Sequence, residues 1–155
     1  MANLACGNAK LGLAHLLNRP INSLFPEVPY GESIGVLLVP VMEYNFAASI
    51  DRFAAMADAM GERCEHRSTR EFAGQCLTAL KHLLAELKVT RRYSVGVVDK
   101  TKIPQMARMC AKGMHGGMQA EEIPETTLVK SFNRRQAKVS DVIRLYERAF
   151  DGWDV

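Results

Sequence analysis

Four histidines and four cysteines are the residues of this 155-residue chain best suited to holding a metal ion or carrying nucleophilic chemistry. Cys6, Cys64, Cys76 and Cys110 show neither CxxC spacing nor the crowding of a small secreted scaffold. They read as reduced thiols, not as bridges or zinc ligands. His15, His66, His82 and His115 form no paired ligand motif. HExxH, GxGxxG and GxxxxGK[ST] are all missing, so no zincin helix or nucleotide loop is predicted. Taken singly, each histidine reads as a surface or core residue. His15 differs by its setting, GLAHLLNRPINSLFPEVPYG from Gly12 to Gly31. An apolar run carries the histidine, and a proline-punctuated loop follows and closes on Pro29-Tyr30-Gly31.

The whole chain has to position that stretch. It is 48% apolar and 24% charged, the balance of one ordinary domain with a real core, spanning residues 1–155. No run of about 18 apolar residues appears, and the first residues lack the zones of a signal peptide. A cytoplasmic chain with no membrane partner is the expectation. The net charge of +3 is too small to imply a polyanion. The pairs Arg91-Arg92 and Arg134-Arg135 read as solvated surface, so nucleic acid is not an expected partner. Met56 and Met60, at helical spacing, read as flexible core filling.

The elements come out helical. Asn3 to about Asn18 reads as a helix that Pro20 stops, with Pro26 and Pro29 keeping the next loop extended. Glu32 to Asn45 is ambiguous: its length favours a helix kinked at Pro40, and its valines favour a buried strand. Ser49 reads as an N-cap, with Ile50, Phe53, Ala57 and Met60 on one face and Gly61 after the end. Ser68-Thr69-Arg70-Glu71 fits a capping box, and Phe72, Cys76, Leu80, Leu83 and Leu87 continue its stripe. Pro104 opens a short helix with Met106, Met109 and Cys110 inward, ended by Gly113. GMHGGMQAEEIPETT reads as a loop, and Ser140-Asp141 caps a last helix carrying Val142, Leu145, Tyr146 and Ala149. The predicted fold is all-α, a single bundle of about six or seven helices with no internal repeat.

The order of these motifs carries a resemblance. NAKLGLAHLLNRPINSLFPEVPYGESIGVLLVPVMEYN resembles the iron-containing alcohol dehydrogenase family, whose members typically read NAGLGLVHALAHPLG, a short loop, then PHGxxNAxLLPxVMxYN. ALKHLLAELKV, DKTKIPQMARMCAKG and FNRRQAKVSDVIRLYERAF are similar to the family's last helices. The resemblance implies a helix over Gly35 to Tyr44. It also implies that this chain corresponds to the C-terminal helical half of a subunit about twice as long, whose N-terminal α/β half binds NAD or NADP. The family holds a divalent metal, iron or zinc, through an aspartate and three histidines. The aspartate and the first histidine lie upstream of the represented segment. His15 matches the next ligand, and the last falls on Tyr30, after a loop one residue longer. A further histidine beside the nicotinamide falls on Arg19.

Two of three matched histidine positions are thus altered. A neutral phenol is a poor substitute for imidazole toward a divalent ion, and an always-charged guanidinium cannot shuttle protons. Glu27 and Glu32 flank Tyr30 and read as solvated. Two expectations follow. In one, the chain is the helical half of an NAD(P)-dependent, metal-dependent alcohol dehydrogenase, with a degenerate metal site and no tight metal or nucleotide binding alone. It is completed by an N-terminal nucleotide-binding half, and Arg19 and Tyr30 bind an anionic substrate or cofactor phosphate. In the other, it is a non-catalytic helical module that associates as a homo-oligomer or with another chain.

Overall fold

A computed structural model describes residues 12–94, 96–112, 122–131 and 133–154. Among them are six α-helices: α1 Leu13–Leu24, α2 Tyr30–Asn45, α3 Ile50–Ala59, α4 Thr69–Glu86, α5 Ile103–Lys112 and α6 Val139–Asp151. A two-stranded antiparallel ribbon, β1 Leu128–Val129 against β2 Ala137–Lys138, precedes α6. The all-α expectation holds, with this ribbon as the addition that sequence periodicity did not show. The glycine-rich stretch from Gly113 to Glu121 and the predicted helical residues Asn3 to Leu11 lie outside the described residues.

The ambiguous apolar segment is α2, and its position explains the ambiguity. Val36 and Leu37 enter the main core with Leu17 and Ile21 of α1, Met106 of α5 and Tyr146 of α6. Val39 meets Leu84 of α4 and Trp153, while Met42 packs against the cluster of Phe53, Phe72 and Cys76 between α3 and α4. A helix enclosed on every side has no polar face, so its sequence loses the 3.6-residue signature. Each fully buried leucine or valine here stabilises the fold by about 1.5–3 kcal/mol. At Gly35 an added Cβ would stand 2.7 Å from Val89 Cγ1, so only glycine admits the close approach of the chain following α4.

Several expectations about helix ends and faces are corrected. Pro20 does not stop the first helix but lies inside it, eight residues into a helix that runs on to Leu24. Proline removes the amide that Leu16 O would accept, and the fold repairs the loss from outside. The Cys110 thiol donates to Leu16 O at 3.7 Å, and beside it the Tyr146 hydroxyl adds a second donor to the next carbonyl, Leu17 O, at 2.5 Å. Ser49 occupies the N-cap of α3 without a side-chain bond, whereas Ser68 and Glu71 form the predicted capping box on α4. α6 starts at Val139, with Asp141 accepting the Lys138 amide at 2.9 Å, rather than at Ser140. Gly61, at φ +87°, ends α3 as expected.

Met56 and Met60 face solvent instead of filling the core. The α4 stripe drifts as well: Phe72, Ala73, Cys76 and Leu84 are buried, but Leu83 and Leu87 are 44% and 66% exposed. The end of α4 packs through Leu80 and Leu84 against Val39 and Trp153, so the burial moves off the predicted line. One member of each arginine pair is absorbed in packing: Arg91 sits 5.4 Å over the Trp153 ring, and Arg135 sits 4.0 Å over Tyr44.

Glu43 links three helices. It takes Lys81 Nζ of α4 at 2.9 Å and Arg148 Nε of α6 at 3.2 Å. Burial alone would raise its carboxyl, but the hydrogen bonds from Lys81 and Arg148 outweigh burial and hold it below the ordinary 4.5. A depressed folded-state value adds stability above the unfolded pKa, and that stability is lost as pH falls through the folded value. Glu43→Gln should therefore flatten the acid limb. Its melting temperature should fall less than wild type between about pH 6 and about pH 3, as thermal melts followed by circular dichroism would show.

Candidate functional site

The site forms where two helices begin. His15 lies in the first turn of α1 and Tyr30 is the first residue of α2. From His15 to Leu24 the helix rises about 13 Å, and the link through Pro26 and Pro29, turned rather than extended as expected because the Val28 amide donates to Phe25 O at 3.1 Å, carries the chain back. The two starts thereby meet. His15 Nδ1 is 2.7 Å from the Tyr30 hydroxyl, and the two rings lie 24° from parallel with centroids 6.1 Å apart. His15 is half-buried and Tyr30 is 49% exposed, so the pair lies on a surface edge, not in the core. Neither helix start has a side-chain cap. Amides without a side-chain cap among the described residues, and the helix dipoles, make this edge favourable for negative charge or a developing oxyanion.

The two sequence candidates His15 and Tyr30 are thus joined. Arg19 follows His15 by one turn on α1 and is exposed, with no ion pair or hydrogen bond among the described residues. It does not touch the pair. It lines a cavity of about 380 Å3 beside α1, together with Ser23, Met109, Cys110 and Lys130. The remaining histidines do not join: His66 and His82 are exposed elsewhere, and His115 lies outside the described residues. Glu32 is engaged, accepting Thr90 Oγ1 at 2.7 Å.

Cys110 forms one wall of the cavity, and its chemistry is closed. Burial pushes its thiol up to about 12, only partly offset by Tyr146 and by the charge of Arg19. It remains a neutral thiol bonded to Leu16 O, unsuited to nucleophilic attack. Lys130 and Ser23 escaped the sequence reading. Ser23 stands one helical turn after Arg19 on α1, a spacing the sequence does hold, whereas Lys130 reaches Arg19 only because the fold brings the chain after β1 to the same cavity.

The donor set also tests whether a divalent metal fits. Among the described residues, no group of three or more histidine, cysteine, aspartate or glutamate side chains is arranged to hold an ion. The one imidazole at the edge faces a phenol across a hydrogen bond. These residues do not fit a metal centre on this chain.

Over residues 1–150 the chain matches the model described as the Fe-containing alcohol dehydrogenase family, C-terminal. It is 31% identical over 112 residues to 1,3-propanediol dehydrogenase of Citrobacter freundii, a match covering 72% of this chain and 29% of that protein. It is 24% identical over 150 residues to lactaldehyde reductase of Escherichia coli (strain K12), covering 97% and 35%. The crystal structure of a 1,3-propanediol oxidoreductase superposes with a TM-score of 0.78 at 27% identity, over 96% of this chain and 35% of that one. The chain spans about a third of the length of these relatives.

Proposed function

Because this chain belongs to the Fe-containing alcohol dehydrogenase family, as its C-terminal helical part, we propose that it forms the substrate-side wall of an NAD(P)-linked alcohol–aldehyde oxidoreductase. A nucleotide-binding half completes the enzyme. The observation that carries this reading is the meeting of His15 and Tyr30 at 2.7 Å, at two positions where the family resemblance implies ligands. A nicotinamide bound on the other half supplies or takes the hydride.

This chain's residues supply the rest. With no fitting metal site here, the Tyr30 hydroxyl donates a hydrogen bond to the substrate oxygen at the open edge. In the reducing direction it gives up its proton as the alkoxide forms, and His15 Nδ1 returns a proton to it from solvent. The uncapped amides at the two helix starts favour the oxyanion. The test is NAD(P)H-dependent aldehyde reduction by this chain combined with its nucleotide-binding half. Turnover is expected to persist with a chelator present and to fall about 10²–10⁴-fold in Tyr30→Phe. Absence of nicotinamide-dependent turnover across an aldehyde panel would refute the reading. Activity that a chelator abolishes would refute the metal-free part of it.

A second reading, a non-catalytic module that self-associates, is favoured by one observation: Leu83 and Leu87 stand exposed on the same side of α4. Sedimentation that gives a monomer across a wide concentration range would remove that support.

A further inference from the structure

We infer that the cavity beside α1, flanked by Arg19 and Lys130, binds the anionic end of a small molecule. The cavity of about 380 Å3 is large enough for a compact ligand. Its polar groups come from two separate parts of the chain, Arg19 and Ser23 of α1 and Lys130 just after β1. Leu16, Pro20 and Met109 supply an apolar lining between them.

The cations are what single this cavity out. Arg108, one residue before Met109 on α5, is already engaged by Glu125 at 3.9 Å and Ile123 O at 3.3 Å. Arg19 and Lys130 have no such partner among the described residues, although both border one cavity. Two like charges over an apolar floor repel until an anion lies between them, and a guanidinium beside an ammonium and a hydroxyl suits a carboxylate or phosphate. The Cys110 wall adds no opposing charge, since its thiol stays protonated.

Spacing ties the cavity to the edge. Arg19 follows His15 by four residues, so their side chains stand about 5–6 Å apart at the Cβ positions. An anion held by Arg19 would leave an oxygen-bearing carbon about two to four methylenes away at the His15–Tyr30 edge. A short hydroxy acid or its aldehyde acid has that shape, and so does the phosphate end of a nicotinamide nucleotide reaching in from the other half. The assignment of the reacting end rests on the oxidoreductase reading, but the anion site does not.

Binding to the intact chain, followed by NMR shifts and calorimetry without any hydride donor, separates the two. Expected is saturable binding of 4-hydroxybutyrate or of nicotinamide mononucleotide, with 1,4-butanediol at least tenfold weaker. Arg19→Gln and Lys130→Gln should each weaken it about tenfold at unchanged melting temperature, and Arg19→Lys should restore part of it. Hydroxybutyrate binding alone assigns the anion to the substrate, and mononucleotide binding alone assigns it to the nucleotide. Equal binding of the diol, or binding indifferent to both glutamine variants, overturns the site. Because no turnover is read, failure here leaves the dehydrogenase reading standing, and failure of turnover leaves this site standing.

Discussion

Trp153→Ala is expected to cost about 3–5 kcal/mol of unfolding free energy, the range for emptying an aromatic core position. The ring is 3% exposed and packs with Val39 of α2 and Leu84 of α4, under the guanidinium of Arg91. It reaches that position because Gly152, at φ +83°, turns the chain where other residues would be strained, and because Arg148 Nη1 donates to Gly152 O. Nε1 of the indole has no hydrogen-bond partner among the described residues. Trp153→Phe should therefore lose far less than the alanine variant, since it gives up area but no bond. Urea unfolding followed by circular dichroism checks both. Equal losses in the two variants would mean that the indole nitrogen, rather than the packing, supplies the stability.

The second large effect is expected at Tyr146. Tyr146→Phe keeps the ring but removes the donor to Leu17 O, in a place with no solvent to replace it. Losing this buried bond costs about 0.5–1.5 kcal/mol. The Tyr146 hydroxyl also lies 3.7 Å from Cys110 Sγ, whose own bond is to Leu16 O. The losses in Tyr146→Phe and Cys110→Ala should consequently be non-additive, as expected for one shared network. Strict additivity in denaturation midpoints would show two separate repairs of α1 instead.

What the sequence revealed depended on how local the cause was. The capping box at Ser68 and Glu71, the stop at Gly61 and the stripe of α6 are written in a few adjacent residues, and they stand in the fold as read. Pro20 reads as a stop because its cost is local but its remedy is not: Cys110, the donor to Leu16 O, is 94 residues away from that carbonyl. α2 hid its type because three clusters bury it from three sides. Leu83 and Leu87 keep the apolar period of a buried face, but Leu80 and Leu84 are the residues that meet Val39 and Trp153. At the site, motif order brought His15, Arg19 and Tyr30 forward together. Only the folded chain distinguishes the hydrogen-bonded pair from the separate arginine, and only the fold adds Lys130.

The α3–α4 hairpin has a consequence of another kind. Its cluster of Phe53, Ala57, Phe72, Ala73 and Cys76 is drawn from its own two helices, while Met42, Phe46, the Lys81–Glu43 pair and Leu84 against Val39 and Trp153 tie it to the rest. Contacts so close along the chain close quickly and cost little loop entropy. The hairpin is therefore the part of the fold whose contacts form with the least loop closure. Its order of assembly is thus set by sequence distance, before α2 and α6 close the core under His15 and Arg19.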